Sequence, residues 1–214
     1  MDKKAKRIGM SVFGIVLVGV AVGMFKRAAF GIDPYQTFMS GLNAIIPISF
    51  GTLFTLVSVV FFVFVAVVDR RYIGITTFVN WFLLGYIIEF SHAALLSAFP
   101  EMSVLARVIL LVAAIVLLCF ATSFYFVSNL GVSVYDATAL IMANKWKLMP
   151  FKYCRIATDL VCVMVGLACF AIANQSWSQI LGAVNVGTVI TAFCMGPLVD
   201  FFVKTCAKPF LERK

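Results

Sequence analysis

Phe30-Gly31-Ile32-Asp33-Pro34-Tyr35 is met again one hundred residues later as Leu130-Gly131-Val132-Ser133-Val134-Tyr135. Each copy sets a glycine, where the backbone turns without steric cost, just ahead of a helix-start signature. In the first copy Asp33 is the N-cap, Pro34 the first helical residue and Gln36 the third. In the second, Ser133 is the N-cap and Asp136 stands at the third helical position. Residues of these types satisfy the free N–H groups with which every helix begins. The helices that follow, Pro34 to Ile46 and Val134 to Ala143, are short and interrupted by Gln36, Thr37, Ser40 and Asn43 or by Asp136 and Thr138. At 1.5 Å per residue they reach only ~15–20 Å, about half the hydrocarbon thickness of a bilayer.

The runs around them are long enough to cross. Ile8–Phe25, Phe50–Val68, Ile73–Phe90, Val104–Asn129, Ile156–Ala173 and Ile180–Val203 are each apolar over ~18 residues or more. The basic N-terminus followed by an apolar run has the outline of a signal peptide, but no small-residue cleavage site precedes Lys26-Arg27, so it reads as a retained first span. The whole chain of 214 residues is 63% hydrophobic and 12% charged, with a mean hydropathy of +1.07. A soluble domain carries about 25% charged residues, so this composition belongs in lipid and excludes a soluble or a disordered chain. The net charge of +8 comes from Lys and Arg at segment ends, as the positive-inside bias produces, and builds no face for nucleic acid. Cys119, Cys154, Cys162, Cys169, Cys194 and Cys206 lie in or beside apolar stretches without CxxC spacing, and His92 is the one histidine, so neither a zinc site nor a disulfide scaffold is indicated.

A second block is duplicated. Thr77 to Phe90 aligns with Thr188 to Phe201, matching Phe82 with Phe193, Gly85 with Gly196 and Glu89 with Asp200. The chain therefore reads as one membrane domain over 1–214 built of two repeats, 8–92 and 104–204. Charges at matching loops are anti-correlated. Arg70 and Arg71 face Asn174-Gln175-Ser176-Trp177, and the uncharged turn at Pro47 faces Lys145, Lys147, Lys152 and Arg155. That is the pattern of repeats inverted in the membrane, and inversion needs an odd number of crossings per repeat. The fold class expected is an all-α integral membrane protein of six transmembrane helices and two re-entrant half-helices. Both termini are then cytoplasmic, and every basic residue except Lys26, Arg27 and Arg107 falls on the inner side. A count with eight spans fits the charges nearly as well, but segment length favours six.

At Phe30-Gly31-Ile32-Asp33-Pro34-Tyr35, Arg155-Ile156-Ala157-Thr158-Asp159 and Gly187-Thr188 with Gly196-Pro197-Leu198, the chain resembles the YczE/YitT-type bacterial polytopic membrane proteins. The resemblance runs over nearly the whole chain and implies a bacterial inner (plasma) membrane protein. One member of the YczE type is associated with lipopeptide antibiotic production, which implies export or support of a membrane-bound biosynthetic process. It supplies no catalytic or binding residues.

The residues themselves point to a site at the two half-helix starts. Helix N-termini turned into the membrane interior direct partial positive charge at a polar or anionic solute. Asp33, Tyr35, Gln36, Ser133, Tyr135 and Asp136 are the candidates for binding substrate or ion, with Asp33 and Asp136 suited to a cation, to a proton or to capping alone. Lys26, Arg27, Glu89, Arg155, Asp159 and Asp200 are candidate gates or counter-ions, because ionisable groups within spans are costly. Arg155 and Asp159, four apart, also suit a plain ion pair along one helix face. Asn80 and Trp81 lie in mid-span as lining residues or as an interhelical hydrogen bond. No GxSxG, HExxH or GxxxxGK motif is present, so neither an enzyme nor a cofactor or metal is expected. An aquaporin-type channel would carry Asn-Pro-Ala at the half-helix tip, and none exists. The expectation is a secondary transporter or permease for a small polar or amphiphilic solute; the alternative is a non-transporting accessory protein of a biosynthetic or secretion process. The partners expected are the lipid bilayer and a solute of unknown identity, no nucleic acid, with a homo-oligomer left open.

Overall fold

A chain surrounded by hydrocarbon has no water to satisfy backbone N–H and C=O groups, so apolar runs close their hydrogen bonds internally as helices. The computed structural model, which describes residues 3–212, is helical with no strand among those residues. Its helices are α1 (Lys3–Ala28), α2 (Pro34–Ile45), α3 (Phe50–Val68), α4 (Ile75–Ala98), α5 (Val104–Ser128), α6 (Val134–Asn144), α7 (Phe151–Ile172), α8 (Trp177–Ala183), α9 (Val186–Phe202) and α10 (Lys208–Glu212). A 3₁₀ turn, Arg70–Tyr72, links α3 to α4, and a π-turn, Val203–Ala207, links α9 to α10. Six helical stretches are long and apolar enough to cross a membrane, the sixth being the run from Trp177 to Glu212.

Side-chain burial is inverted relative to a soluble protein. Val67, Phe90 and Ile172 are at least 70% exposed, while Thr37, Thr76, Ser123, Ser128 and Asn80 are buried. Only an apolar solvent makes that arrangement favourable, because most inward polar groups find within the protein a partner the lipid lacks. α1 packs along α4 and α5, α2 lies against α7, α3 touches α4 and α6, and α5 touches α9.

The starts of both short helices form as the sequence indicates. Asp33 accepts from the Gln36 N–H at 3.2 Å and Ser133 from the Asp136 N–H at 3.0 Å. Gly31 and Gly131 take φ of +96° and +100°, and a Cβ at either would sit within 2.8 Å of the opposite half's backbone. A side chain is therefore excluded by space as well as by conformation.

The last span differs from the expectation of one continuous helix over Ile180–Val203. It breaks after Ala183 and restarts at Val186, with Asn185 and Thr188 capping the new start. The freed carbonyls have a use. Gly182 O accepts from Gly31 N at 3.0 Å, and Ala183 O accepts from Ile32 N at 3.0 Å and from the Thr37 hydroxyl at 3.2 Å. Phe30 O in turn accepts from Gly187 N at 2.8 Å. The same contacts recur with the halves exchanged: Tyr72 O accepts from Val132 N at 3.1 Å, and Leu130 O from Thr76 N at 3.0 Å. The Thr77 hydroxyl donates to Tyr72 O, as Thr188 does to Ala183 O. Each half thus holds the extended lead-in to the other half's short helix.

Candidate functional site

Those crossed lead-ins bring the first turns of α2 and α6 face to face. Tyr35 and Tyr135 stack with ring centroids 4.4 Å apart and planes 17° from parallel, and Phe61 meets both edge-on. Around the stacked pair lies a cavity of about 70 Å³ whose wall includes Asp33, Gln36, Ser133, Asp136, Asn80 and Arg155. All six residues proposed from the sequence to bind substrate or ion line this one chamber.

Arg155 on α7 is the hub of its charged wall. Its Nη1 pairs with Asp136 Oδ1, and its Nε lies 3.2 Å from Asp159 Oδ1. The guanidinium also rests 4.6 Å from the centre of the Tyr135 ring. Asp136 further accepts from the Tyr125 hydroxyl and, at 2.7 Å, from Ser133 Oγ. Asp159 accepts from the Tyr135 hydroxyl at 2.5 Å, and Cys162 Sγ lies 3.6 Å from that hydroxyl. Buried charges persist when paired and fully hydrogen-bonded, and both acids here meet that condition. Arg155–Asp159 is the helix-face pair read from the sequence; the bond to Asp136 adds a clasp between α6 and α7.

The opposite wall is built differently. Phe50 and Phe151 are the first residues of α3 and α7, and on that register Phe54 occupies the place of Arg155 and Ser58 the place of Asp159. The Ser58 hydroxyl approaches that of Tyr35, yet Tyr35 Oη, Ser58 Oγ and Gln36 Oε1 are all buried without a hydrogen-bond partner.

A second recess of about 460 Å³ adjoins the chamber, sharing Thr122, Asp136, Arg155 and Met195 as a wall. It is lined beyond them by Phe151, Asp159, Gly196 and Asp200. At the matching sequence positions of the first half the space is filled: Lys26 Nζ stands 3.2 Å over the Phe50 ring, Glu89 accepts from Gly51 N at 3.2 Å, and Gly85 packs on Phe54.

The remaining candidates fall elsewhere. Arg27 donates to the carbonyls of Phe99 (3.0 Å from Nε) and Pro100 (2.9 Å from Nη2), closing the end of α4 rather than facing the chamber. Asp200 is more than half exposed at the recess rim, 2.6 Å from Lys204. Trp81 Nε1 donates to Thr55 O at 2.9 Å, while Asn80 does line the chamber. Tyr125 and Ser58 were not singled out from the sequence; the signal available for Ser58 was its register with Asp159. Among the described residues, no three His, Cys, Asp or Glu side chains gather as a metal site would require.

No curated protein and no solved structure matches the chain. A family model matches residues 5–204, nearly the full length, and the protein therefore belongs to a family of unknown function, DUF6198.

Proposed function

We propose that the protein is a secondary transporter for a small polar solute, working by alternating access to the chamber between Tyr35 and Tyr135. The observation that carries this reading is the convergence of two half-helix starts, one from each half of the chain, on one buried polar cavity. In inverted-repeat transporters substrate sites lie where broken helices meet near the midplane. The paired hydrogen bonds of the crossed lead-ins support the inverted-repeat arrangement, with six crossings, two re-entrant half-helices and cytoplasmic termini in a bacterial inner membrane. In that topology the recess beside Arg155 opens inward, and the packing of Lys26, Phe50, Glu89 and Gly85 closes the outer side. The Arg155–Asp136 clasp is then the inner gate, and Phe54 with Phe50 the outer one.

A test needs no knowledge of the solute. In a variant whose six native cysteines are replaced, Asn80→Cys is treated with a membrane-impermeant thiol reagent from either side of oriented membranes. Alternating access exposes it from both sides; reaction from neither side, or from one alone, supports the accessory-protein reading. Topology is checked by Tyr72→Cys and Ser176→Cys, which the inverted arrangement puts on opposite faces. Labelling of both from the same side removes the model of inverted repeats.

A further inference from the structure

The chamber's charges do not cancel, and the remainder identifies what it takes. Asp33, Asp136 and Asp159 bring three carboxylates to or beside the cavity, against the single guanidinium of Arg155. Lys26, over the Phe50 ring, acts through space on both Asp33 and Glu89 and makes an ion pair with neither, so counting Lys26 together with Glu89 adds one charge of each sign and leaves the balance unchanged. Two helix N-termini would ordinarily favour an anion, each contributing about half a positive charge. Both are already met by their own caps, that of α2 by Asp33 and that of α6 by Ser133 and Asp136. Even when the two dipoles are counted in full, about one negative charge is left over. Asp33 is the carboxylate of the three without an ion pair among the described residues: it accepts N–H groups of its own helix start and meets Arg155 and Lys26 only through space.

Tyr35 and Gln36, which line the same cavity as Asp33, each carry a buried side-chain oxygen without a hydrogen-bond partner, Tyr35 Oη with the equally unpartnered Ser58 hydroxyl approaching it. Buried polar atoms in native folds are satisfied by protein, water or ligand, so oxygens left over together mark a place where something binds. The cavity of about 70 Å³ is small. One water fills ~10–15 Å³ on this measure, so the space suits a few waters or one small ion with part of its shell.

We propose that the chamber binds one small monovalent cation, an alkali-metal ion or a small ammonium, with Asp33 as counter-charge and Tyr35 Oη and Gln36 Oε1 as neutral ligands. This rests on the transport reading for its purpose, the cation being cargo or coupling ion, but not for its geometry.

The test is thermal unfolding of the purified protein in lipid nanodiscs at constant pH and ionic strength. The chloride of a bulky cation, N-methylglucamine, is replaced stepwise by lithium, sodium, potassium, ammonium or methylammonium chloride. At least one small cation raises the midpoint saturably. Asp33→Asn keeps an N-cap oxygen of equal quality, and it lowers the apparent affinity about tenfold or more, the scale of one charged contact. Tyr35→Phe keeps the ring stack, removes one ligand and weakens binding less, which preserves the test should Asp33→Asn fold poorly. Absence of any response, an equal response to N-methylglucamine, or an undiminished response in both variants overturns the proposal. So does stabilisation by acidification alone, abolished by Asp33→Asn, which would make the ligand a proton. Cation binding lost in Asp33→Asn, together with an Asn80→Cys thiol that never alternates, leaves this inference standing and removes the transport reading.

Discussion

The two walls of the chamber stand at matching sequence positions and have opposite chemistry. On the second-half wall Tyr135 donates to Asp159, Arg155 spans two carboxylates, and an open recess lies beyond. On the first-half wall Tyr35 and Ser58 have no partners, Phe54 replaces the arginine, and the space beyond is packed shut. The seams follow the same division. α2 meets α7 backbone to backbone, since a Cβ on Gly41 would lie 2.5 Å from Gly166 O and one on Gly166 2.8 Å from Thr37 O. The matching contact between α6 and α3 is made by side chains, with Ile141 against Val65. A glycine pair locks helices at close range, whereas branched side chains hold them apart across a layer that can repack. Matching positions of the two halves therefore carry different side chains, which set one seam at backbone contact and the other at side-chain contact.

The largest effect is expected from breaking the charged wall. Arg155→Ala leaves Asp136 and Asp159 buried without a cation, which costs about 3–5 kcal/mol. A fall of the unfolding midpoint of that order checks it. The further combination Arg155→Met, Asp136→Asn, Asp159→Asn recovers most of the loss, because what destabilises is the unpaired charge and not the absence of the pair. Asp33→Asn on the other wall stays close to the wild type in the absence of small cations. If Arg155→Ala and Asp33→Asn cost the same, the two walls do not differ in the way described.

Next come the glycine seams. Gly166→Val drives a side chain into the Thr37 carbonyl, a backbone atom that cannot swing aside, at a cost toward the upper end of about 1–3 kcal/mol. Val65→Ile, at the looser seam, is expected to cost less than half of that, read from the same melting curves. A smaller pair separates closed from open. A Cβ on Gly85 would lie 2.7 Å from Phe54 Cβ and 2.9 Å from Gly51 Cα, whereas one on Gly196 meets nothing within 4 Å. Gly85→Ala is thus expected to cost about 1–2 kcal/mol and Gly196→Ala about 0.5 kcal/mol or less. On the proposed alternating access, Gly196→Ala nevertheless slows the reaction of Asn80→Cys from the outer side, because in that cycle the recess shrinks when the outer gate opens.

Much of this was legible from residue order alone. The caps of the two short helices at Asp33 and Ser133, the turns at Gly31 and Gly131 and the six long apolar runs are local features of the sequence. What escaped notice depends on partners far away in the chain. The break at Val184-Asn185 lies inside a predominantly apolar run long enough for one span and is stable because Ile32 and Thr37 take up Ala183 O, a contact no local pattern encodes. Gly74, Thr77, Asn185 and Thr188 did carry the hint, since a hydroxyl three residues past a kink recurs in both halves. Arg155 was read with Asp159 only, because a spacing of four is visible and the clasp to Asp136 across two helices is not. Arg27 and Asp200 show the converse. Charge at the end of a span drew them into the candidate gate, while their long or exposed side chains serve a helix end and a surface pair.

The smallest effect concerns the two crossing turns themselves. In the first half the turn is charged: Asp69 caps it and bonds Arg71 through Nε at 3.0 Å and Nη2 at 2.8 Å. In the second half the corresponding segment is α8, opened by Ser176 and Gln179 without any ionised group. Hydrogen bonding from Arg71 holds the Asp69 carboxyl down at about 2, against about 3.9 for an unconstrained aspartate. A carboxylate more acidic in the folded state stabilises that state fully above pH ~4, and the contribution fades as pH falls toward ~2. The pair is solvent-exposed on the arginine side, so the effect is modest and screened by salt. Over that window, hydrogen-exchange protection corrected for intrinsic rate should weaken at Thr76 N, which bonds Leu130 O, and hold at Gly187 N, which bonds Phe30 O. Asp69→Asn keeps a cap oxygen and removes the charge, so its Thr76 protection should no longer depend on acid. Equal acid sensitivity at both crossings would mean that the turns respond as one unit and that their different chemistry does not separate the two halves.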